Sequence, residues 1–334
     1  MTVPLPHPLD RPLADGQGRR ITYLRLSLTD RCNFRCSYCA TASPERRGEP
    51  LPLPHLARLA SIFAGLGVRR IRLTGGEPTL RRDLIEIVEE VSHTPGIEEV
   101  ALTTNGQALA ELAAPLRAAG VRRLNVSLDT LRPATLARLA GGAASLERIR
   151  RGIEAAAAVG FDGLKLNTVV VRGENDGELG DLARFAWRVG ATARFIELMP
   201  FGPGVPVPVA EVRRLLEAQG VRLAPDATRG WGPATHMRGA STVGGEAVGG
   251  LVGFIGALTE NFCDGCNRIR VAADGALRPC LGGREGLPLR ALLDAGATDR
   301  EISAAIVGAL AAKRPGHRMV EEAGQLPSMI GTGG

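Results

Sequence analysis

The chain has 334 residues, of which 44% are hydrophobic and 23% charged, with a formal net charge of +6. This balance excludes a disordered chain, and no run of roughly eighteen apolar residues is long enough for a membrane-spanning helix. The excess charge is spread too thinly to define a polyanion-binding protein, and of the 41 basic residues only Lys165 and Lys313 are lysine.

Met1 to Gln17 carries Pro4, Pro6, Pro8 and Pro12 with no apolar stretch, so the sequence predicts a mobile arm over 1–17, no secretory signal and a cytoplasmic protein. Strand-like runs follow at Tyr23–Leu28, Arg70–Thr74, Glu99–Thr103, Arg123–Leu128, Leu164–Val171 and Ala193–Leu198. Helical periodicity alternates with them at Leu56–Leu66, Arg82–Ser92, Ala108–Ala119, Ser145–Val159, Glu178–Val189 and Val209–Gln219. Six successive βα units predict a parallel sheet, either an incomplete (β/α)6 barrel or a doubly wound sheet, over 18–219. From 220 to 334 the alternation breaks. Gly-rich hairpin signals at Gly244–Gly256 and helices near Leu287–Ala295 and Asp299–Ala311 predict a smaller appended α+β domain.

Polar and glycine-rich motifs fall at the carboxyl ends of the predicted strands. A cysteine group follows the first, Thr74-Gly75-Gly76-Glu77-Pro78 the second, and Thr103-Thr104-Asn105-Gly106 the third. Ser127-Leu128-Asp129 ends the fourth, Lys165 and Asn167 lie on the fifth, and Glu197-Leu198-Met199-Pro200 ends the sixth. That edge is where parallel α/β folds bind ligands. Lys165 stands inside a run that a parallel sheet would keep apolar, so it must meet a buried anion or face a lumen.

The six cysteines form two groups, Cys32, Cys36 and Cys39, and Cys263, Cys266 and Cys280. Triplets cannot pair internally, and a chain of this size needs no disulfide staples. Cys-x3-Cys-x2-Cys on one short loop can supply three thiolates to a cuboidal iron–sulfur cluster and leave the fourth iron open for a substrate. Zinc needs a fourth ligand, and His7, His55, His93, His236 and His317 are scattered singly.

With Tyr38 just before its third cysteine, the first group resembles the signature of the radical S-adenosylmethionine superfamily. From about Gly18 to the end, the chain resembles the GTP 3′,8-cyclase family of molybdenum-cofactor biosynthesis (molybdenum cofactor biosynthesis protein A). The stretches that carry the likeness are Asp30–Cys39, Ile71–Pro78, Leu102–Gly106, Asn125–Asp129, Arg194–Glu197, Asn261–Arg270 and the final Gly333-Gly334. The resemblance implies an incomplete (β/α)6 TIM-like barrel with a smaller C-terminal domain carrying a second cluster. By the same resemblance Cys32, Cys36 and Cys39 hold a [4Fe–4S] cluster that chelates S-adenosylmethionine, with Tyr38, Gly76, Ser127 and Met199 as contacts to that cofactor. Cys263, Cys266 and Cys280 hold a second [4Fe–4S] cluster that meets the guanine of GTP. Arg25, Arg72, Thr103, Lys165, Arg268 and Arg270 match GTP contacts, Arg194 matches more weakly, and Arg25, Gly333 and Gly334 match positions at the reaction.

The implied chemistry is removal of hydrogen from ribose C3′ by a 5′-deoxyadenosyl radical, followed by closure onto guanine C8. The implied partners are GTP, an electron donor of flavodoxin or ferredoxin type and a downstream enzyme that forms the cyclic pyranopterin. Neither nucleic acid nor membrane is implied, and a homodimer is left open. Three positions depart from the family: Ala40-Thr41 after the third cysteine, the Pro-rich Phe201–Pro208, and Thr332 in place of an Ile before the diglycine. Two alternatives are weighed beside this reading. One is a radical S-adenosylmethionine peptide-modifying enzyme with an auxiliary cluster, which would carry more downstream cysteines. The other is a zinc-containing RNA-binding protein, which 4% aromatic residues would leave short of stacking platforms.

Overall fold

A computed structural model describes residues 12–39, 49–141, 143–228, 230, 232–284, 286–326, 329–330 and 332. In chain order the first half contains β1 (Tyr23–Ser27), α1 (Leu53–Gly65), β2 (Arg70–Thr74), α2 (Leu84–Ser92), β3 (Glu99–Thr104), α3 (Leu109–Ala118), β4 (Val121–Ser127), α4 (Pro133–Ala140) and α5 (Leu146–Val159). Then come β5 (Gly163–Val170), α6 (Leu179–Arg188), β6 (Thr192–Glu197), α7 (Val209–Ala218), β7 (Arg222–Pro225), β8 (Thr235–Val243) and β9 (Glu246–Ile255). The chain ends with β10 (Arg268–Val271), β11 (Ala276–Arg278), β12 (Leu287–Pro288), α8 (Leu289–Asp294) and α9 (Asp299–Ala311). All six predicted strands and their six helices form, with ends shifted by a few residues. The helix the sequence reading lacks is α4.

Two compact units emerge. The first comprises Met1–Cys32, Glu45–Ala101 and Cys263–Gly334, the second Asn33–Pro44 and Leu102–Phe262. In the first unit β1 lies between β10 and β2, parallel to both, while β11 and β12 continue antiparallel from β10. In the second, β4, β5, β6 and β9 are parallel neighbours, and β8 and β7 follow antiparallel. The hairpin expected in an appended domain is thus built onto the second unit's own sheet. Its reason is packing: Val252 and Phe254 of β9 are buried, and the Phe254 ring lies 6.3 Å from that of Phe195 on β6.

Strand period 2 sorts the side chains of each sheet. In the first unit Leu24, Leu26, Ile71, Leu73, Ile269, Val271 and Leu277 point to one face and are all fully buried. The opposite face carries Tyr23, Arg25, Arg72, Arg268, Arg270 and Arg278. In the second unit β5 alternates strictly, with Leu164, Leu166, Thr168 and Val170 buried and Lys165, Asn167 and Val169 half-buried. Both sheets therefore have an apolar face that makes the core and a polar face free to carry chemistry.

Of the expected mobile arm, residues 1–11 lie outside the described residues. Within residues 12–17 two side chains are anchored: Leu13 is buried and exchanges backbone hydrogen bonds with Leu66 and Ile21, and buried Asp15 binds Arg19 at 2.7 Å. Among the described residues no helix is long and apolar enough to cross a membrane.

Candidate functional site

The second unit fixes the loop that bears Cys36 and Cys39. The Cys39 amide donates to the Cys36 carbonyl at 3.0 Å, which closes a turn, and the amides of Arg35 and Ser37 donate to Ala140 and Leu139. Those acceptors are end carbonyls of α4, groups that no intrahelical donor satisfies. The Asn105 amide donates to Asn33 Oδ1 at 2.8 Å, and the Tyr38 hydroxyl donates to Asp129 Oδ2 at 2.5 Å. The Tyr38 ring rests on Leu139, Val171 and Leu198. Pro-rich Phe201–Pro208 is part of this wall, since a Cβ on Gly202 would come within 2.8 Å of the Ser37 carbonyl. Burial pushes the Asp129 carboxyl up to about 6 against the pull of its hydrogen bonds from Tyr38 and Val169. Burial, then the Asp129 charge, drives the Tyr38 phenol well above its usual value.

Cys32 belongs to the first unit, where the segment between β1 and Cys32 is backed by the glycine loop after β2. The Gly76 amide donates to the Thr29 carbonyl at 2.7 Å and the Glu77 amide to the Arg31 carbonyl at 2.8 Å. A Cβ on Gly76 would collide with the Arg31 carbonyl oxygen. The backbone of the segment leading to Cys32 therefore already requires the absence of a side chain there.

On the polar face of the first sheet, register places arginines side by side. Arg25 on β1 is level with Arg72 on β2 and with Arg270 on β10, and Arg268 is level with Tyr23. Arg72 donates to the Tyr23 hydroxyl and lies over its ring, 5.8 Å from the centroid. Arg72 and Arg270 are buried. Burial lowers the affinity of Arg25 for its proton, and the nearby Arg270 and Arg72 add to the effect. Burial, then Arg268, lowers Arg270 to about 10, against the opposing pull of Cys280, Cys266 and Tyr23. Such a face holds a strong positive potential and fits an anion of several charges.

The second cysteine group adjoins this face. The Cys266 amide donates to the Cys263 carbonyl at 3.0 Å, repeating the turn made by Cys36 and Cys39. Arg19, itself held by Asp15, donates to the Cys263 carbonyl at 2.8 Å and so ties this loop to the N-terminal segment. Lys313, only 4% exposed, donates to the Arg268 carbonyl at 2.8 Å, approaches Cys266 Sγ at 3.5 Å and lies 3.9 Å from Asp15. Burial alone would raise the Cys266 thiol, but Arg268 and Lys313 outweigh it and bring the group down to about 7. A cavity of about 280 Å³ is lined by Cys280, Gly282, Gly283, Lys313, Arg314 and His317.

The polar face of the second sheet is chemically mixed. Asn125 on β4 is level with Lys165 on β5, and Ser127, Asn167, Arg194, Gly253 and His236 form one row across five strands. Asn125 Oδ1 and Asn167 Oδ1 are buried and make no hydrogen bond to the described residues. Buried amide oxygens in that state fit a ligand that donates hydrogen bonds. Burial, then Arg194 and Lys165, lowers the His236 imidazole, which the sequence reading left unassigned.

The expected residues thus divide between the units. Arg25, Arg72, Gly76, Arg268, Arg270, Cys32, Cys263, Cys266 and Cys280 lie in the first, and Tyr38, Thr103, Ser127, Lys165, Arg194, Met199, Cys36 and Cys39 in the second. Thr103 and Met199 are half-buried at the carboxyl ends of β3 and β6. Gly333, Gly334 and Ala40-Thr41 lie outside the described residues, whereas Thr332 is described and buried. Asp129, Arg19 and Lys313 support the site but were not singled out as site residues. Their one sequence signal was the rarity of lysine.

The donor set fits iron–sulfur ligation. All six cysteines are half-buried and none forms a disulfide, each group contains a Cys-x2-Cys turn, and Cys266 is drawn toward the thiolate that metals require. Among the described residues no three His, Cys, Asp or Glu side chains converge on one ion. A cuboidal cluster makes a different demand, one thiolate for each of three irons.

Family profiles match in two places: one described as the radical SAM superfamily over residues 26–186, and one described as molybdenum cofactor synthesis C over residues 191–319. The chain is similar to a protein named GTP 3′,8-cyclase from Rhodopseudomonas palustris strain TIE-1, with 42% identity over 327 residues, 94% of this chain and 92% of the relative. A protein of the same name from Ectopseudomonas mendocina is 43% identical over 320 residues, 93% of this chain and 94% of the relative. Among solved structures, Streptococcus suis SuiB superposes with a TM-score of 0.58 at 16% identity, covering 84% of this chain and 66% of its own, a likeness of fold.

Proposed function

The chain belongs to the GTP 3′,8-cyclase family, at about 42% identity over nearly its whole length, and from that premise we propose that it converts GTP to 3′,8-cyclo-7,8-dihydro-GTP for molybdenum-cofactor synthesis. The observation that carries the reading is the arginine face of the first unit beside a cysteine triad that includes a thiol poised as thiolate. A peptide substrate has no need of a concentrated guanidinium row, and a triphosphate does.

In this reading Cys32, Cys36 and Cys39 hold one [4Fe–4S] cluster and Cys263, Cys266 and Cys280 the other. When bound, the first cluster and S-adenosylmethionine supply the organic radical that abstracts the ribose hydrogen. Tyr38, Gly76, Ser127 and Met199 contact S-adenosylmethionine. Gly76 does so by backbone, and Ser127 offers a hydroxyl. Arg25, Arg72, Arg268 and Arg270 grip phosphate oxygens as forks, Lys165 adds a compact charge, and Thr103 and Arg194 complete the contacts to GTP. Holding C3′ of the ribose in place and excluding water are the protein's share of the work. Gly333 and Gly334, with Arg25, act at the reaction. Their lack of side chains lets the tail thread a narrow space. The protein works in the cytoplasm with a flavodoxin or ferredoxin as donor, and its product passes to the pyranopterin-forming enzyme.

The test is anaerobic incubation of the reconstituted protein with S-adenosylmethionine, reductant and GTP, read by mass spectrometry. A product isomeric with GTP together with 5′-deoxyadenosine is the expected outcome. 5′-Deoxyadenosine without a GTP-derived product would defeat the reading.

A further inference from the structure

The arginine row of the first unit does not stop at β10. β10 and β11 are antiparallel, and Arg270 is directly opposite Arg278. Arg72, Arg25, Arg270 and Arg278 therefore stand level on four adjacent strands and on one face. Adjacent strands are about 4.8 Å apart, so the row extends over roughly 14 Å. Directly opposed residues of an antiparallel pair have neighbouring Cβ atoms, and like charges in that position destabilise the pair. Arg278 is only 8% exposed, as buried as Arg72. A solvated surface arginine would ease the repulsion in water, and this side chain has little water to use.

On Arg270 the groups that favour its charge are Cys280, Cys266 and Tyr23, two of them proposed cluster ligands and none a carboxylate. Cys280 follows two positions after Arg278, just past the end of β11.

We infer that Arg278 is a further polyphosphate-binding residue, the fourth guanidinium of a row that grips the triphosphate of the substrate; the inference rests on the proposed GTP reading. Its role is affinity and discrimination for the phosphates, not for the base. Arg suits it because a planar fork can bridge two phosphate oxygens that a neighbouring fork also touches.

The test uses the anaerobically reconstituted holoenzyme and the variants Arg278→Gln and Arg278→Lys, each titrated with GTP and with guanosine. Iron content and melting temperature are recorded for each protein. Arg278→Gln is expected to bind GTP about tenfold more weakly, with guanosine affinity unchanged to within about twofold. Arg278→Lys, which keeps the charge and loses the fork, is expected to fall between parent and Gln variant. Parent-like GTP affinity in the Gln variant, or equal weakening of GTP and guanosine, overturns the inference. If the Gln variant loses iron or melts early, the Lys variant decides by the same criterion, with selective loss of GTP supporting it and parent-like affinity refuting it. A parent that fails to prefer GTP over guanosine would refute the GTP reading itself, an outcome distinct from any difference among the variants.

Discussion

Each unit carries a sheet whose polar face replaces the apolar residues a parallel strand would ordinarily bury, and the two faces are built from different chemistry. In the first unit the replacements are guanidiniums in register, Arg72, Arg25 and Arg270, beside the thiols of the second cysteine group. In the second unit a single row mixes Ser127, Asn167, Arg194 and His236, with Lys165 and Asn125 one step away, and two amide oxygens there make no hydrogen bond to the described residues. A face of uniform charge serves binding of a polyanion. A face of hydroxyls, amides and isolated cations serves orientation of a ligand with donors and acceptors of both kinds.

The sharpest way to break this contrast is to remove one cysteine from each group. Cys32→Ala should abolish cleavage of S-adenosylmethionine, whereas Cys263→Ala should leave uncoupled cleavage and no cyclised GTP. Chromatographic assay of 5′-deoxyadenosine and of the GTP product separates the two, and normal cleavage in both would refute the division of labour. Deletion of Gly333 and Gly334 should resemble Cys263→Ala: iron content and uncoupled cleavage stay near parent levels, and cyclised GTP nearly disappears. A peptide ending in Gly-Gly should restore part of it, and full-length rates in the truncated protein would remove the tail from the reaction.

Lys165 tests whether the second face also meets phosphate. Lys165→Ala should weaken GTP binding by about 1.5–3 kcal/mol and spare guanosine, as expected for loss of one charge-assisted contact. Equal losses in calorimetric titration would place Lys165 at the nucleoside instead, and the two faces would then differ in target as well as in composition.

Much of this was legible in the sequence because period 2 and period 3.6 are local. Leu24 and Leu26 alternating with Arg25, or Leu164 and Leu166 with Lys165, fix a strand and its two faces within a few residues. What stayed hidden is set by contacts between distant segments. The row from Arg72 to Arg278 depends on β10 pairing with β1, a register no local pattern encodes. Helix α4 was obscured because Leu131-Arg132-Pro133 reads as a turn, although Pro at the first helical position and buried Leu136 and Leu139 satisfy a short helix. The role of that helix as acceptor for the Arg35 and Ser37 amides exists only in the fold. The pairing of the Gly-rich hairpin was hidden for the same reason. A hairpin cannot announce from its sequence that its second strand will pair with β6.

Lys313 examines the electrostatics behind the first face. Its ammonium is buried among Asp15, the Arg268 carbonyl and Cys266, so Lys313→Met should cost about 1–3 kcal/mol of stability by leaving those acceptors unsatisfied. Iron content should fall with it, since Cys266 loses one of the two cations that favour its thiolate. Denaturant unfolding and iron analysis check both, and a parent-like result in each would mean that Arg268 alone suffices.

The smallest expected effect concerns the carboxylate of the second unit. Asp129 has its pKa raised from 3.8 to about 6, chiefly by burial, so between those values the folded chain holds a proton that the unfolded chain has released. Stability must then fall as pH rises through that window and level off above it. Asp129→Asn keeps an oxygen to accept from the Val169 amide, turns its NH2 to the Tyr38 hydroxyl, which then accepts, and cannot ionise, so its unfolding free energy should lose this part of the pH slope. Tyr38→Phe should do the reverse. Without the hydroxyl the ionised carboxylate keeps only the Val169 amide, the pKa rises further, and the protein loses about 1 kcal/mol, most visibly above pH 6. Urea unfolding across the window distinguishes the pair: matching slopes in parent, Asn and Phe variants would show that Asp129 does not titrate there, and that the tyrosine beside the cysteines is held by its packing on Leu139, Val171 and Leu198.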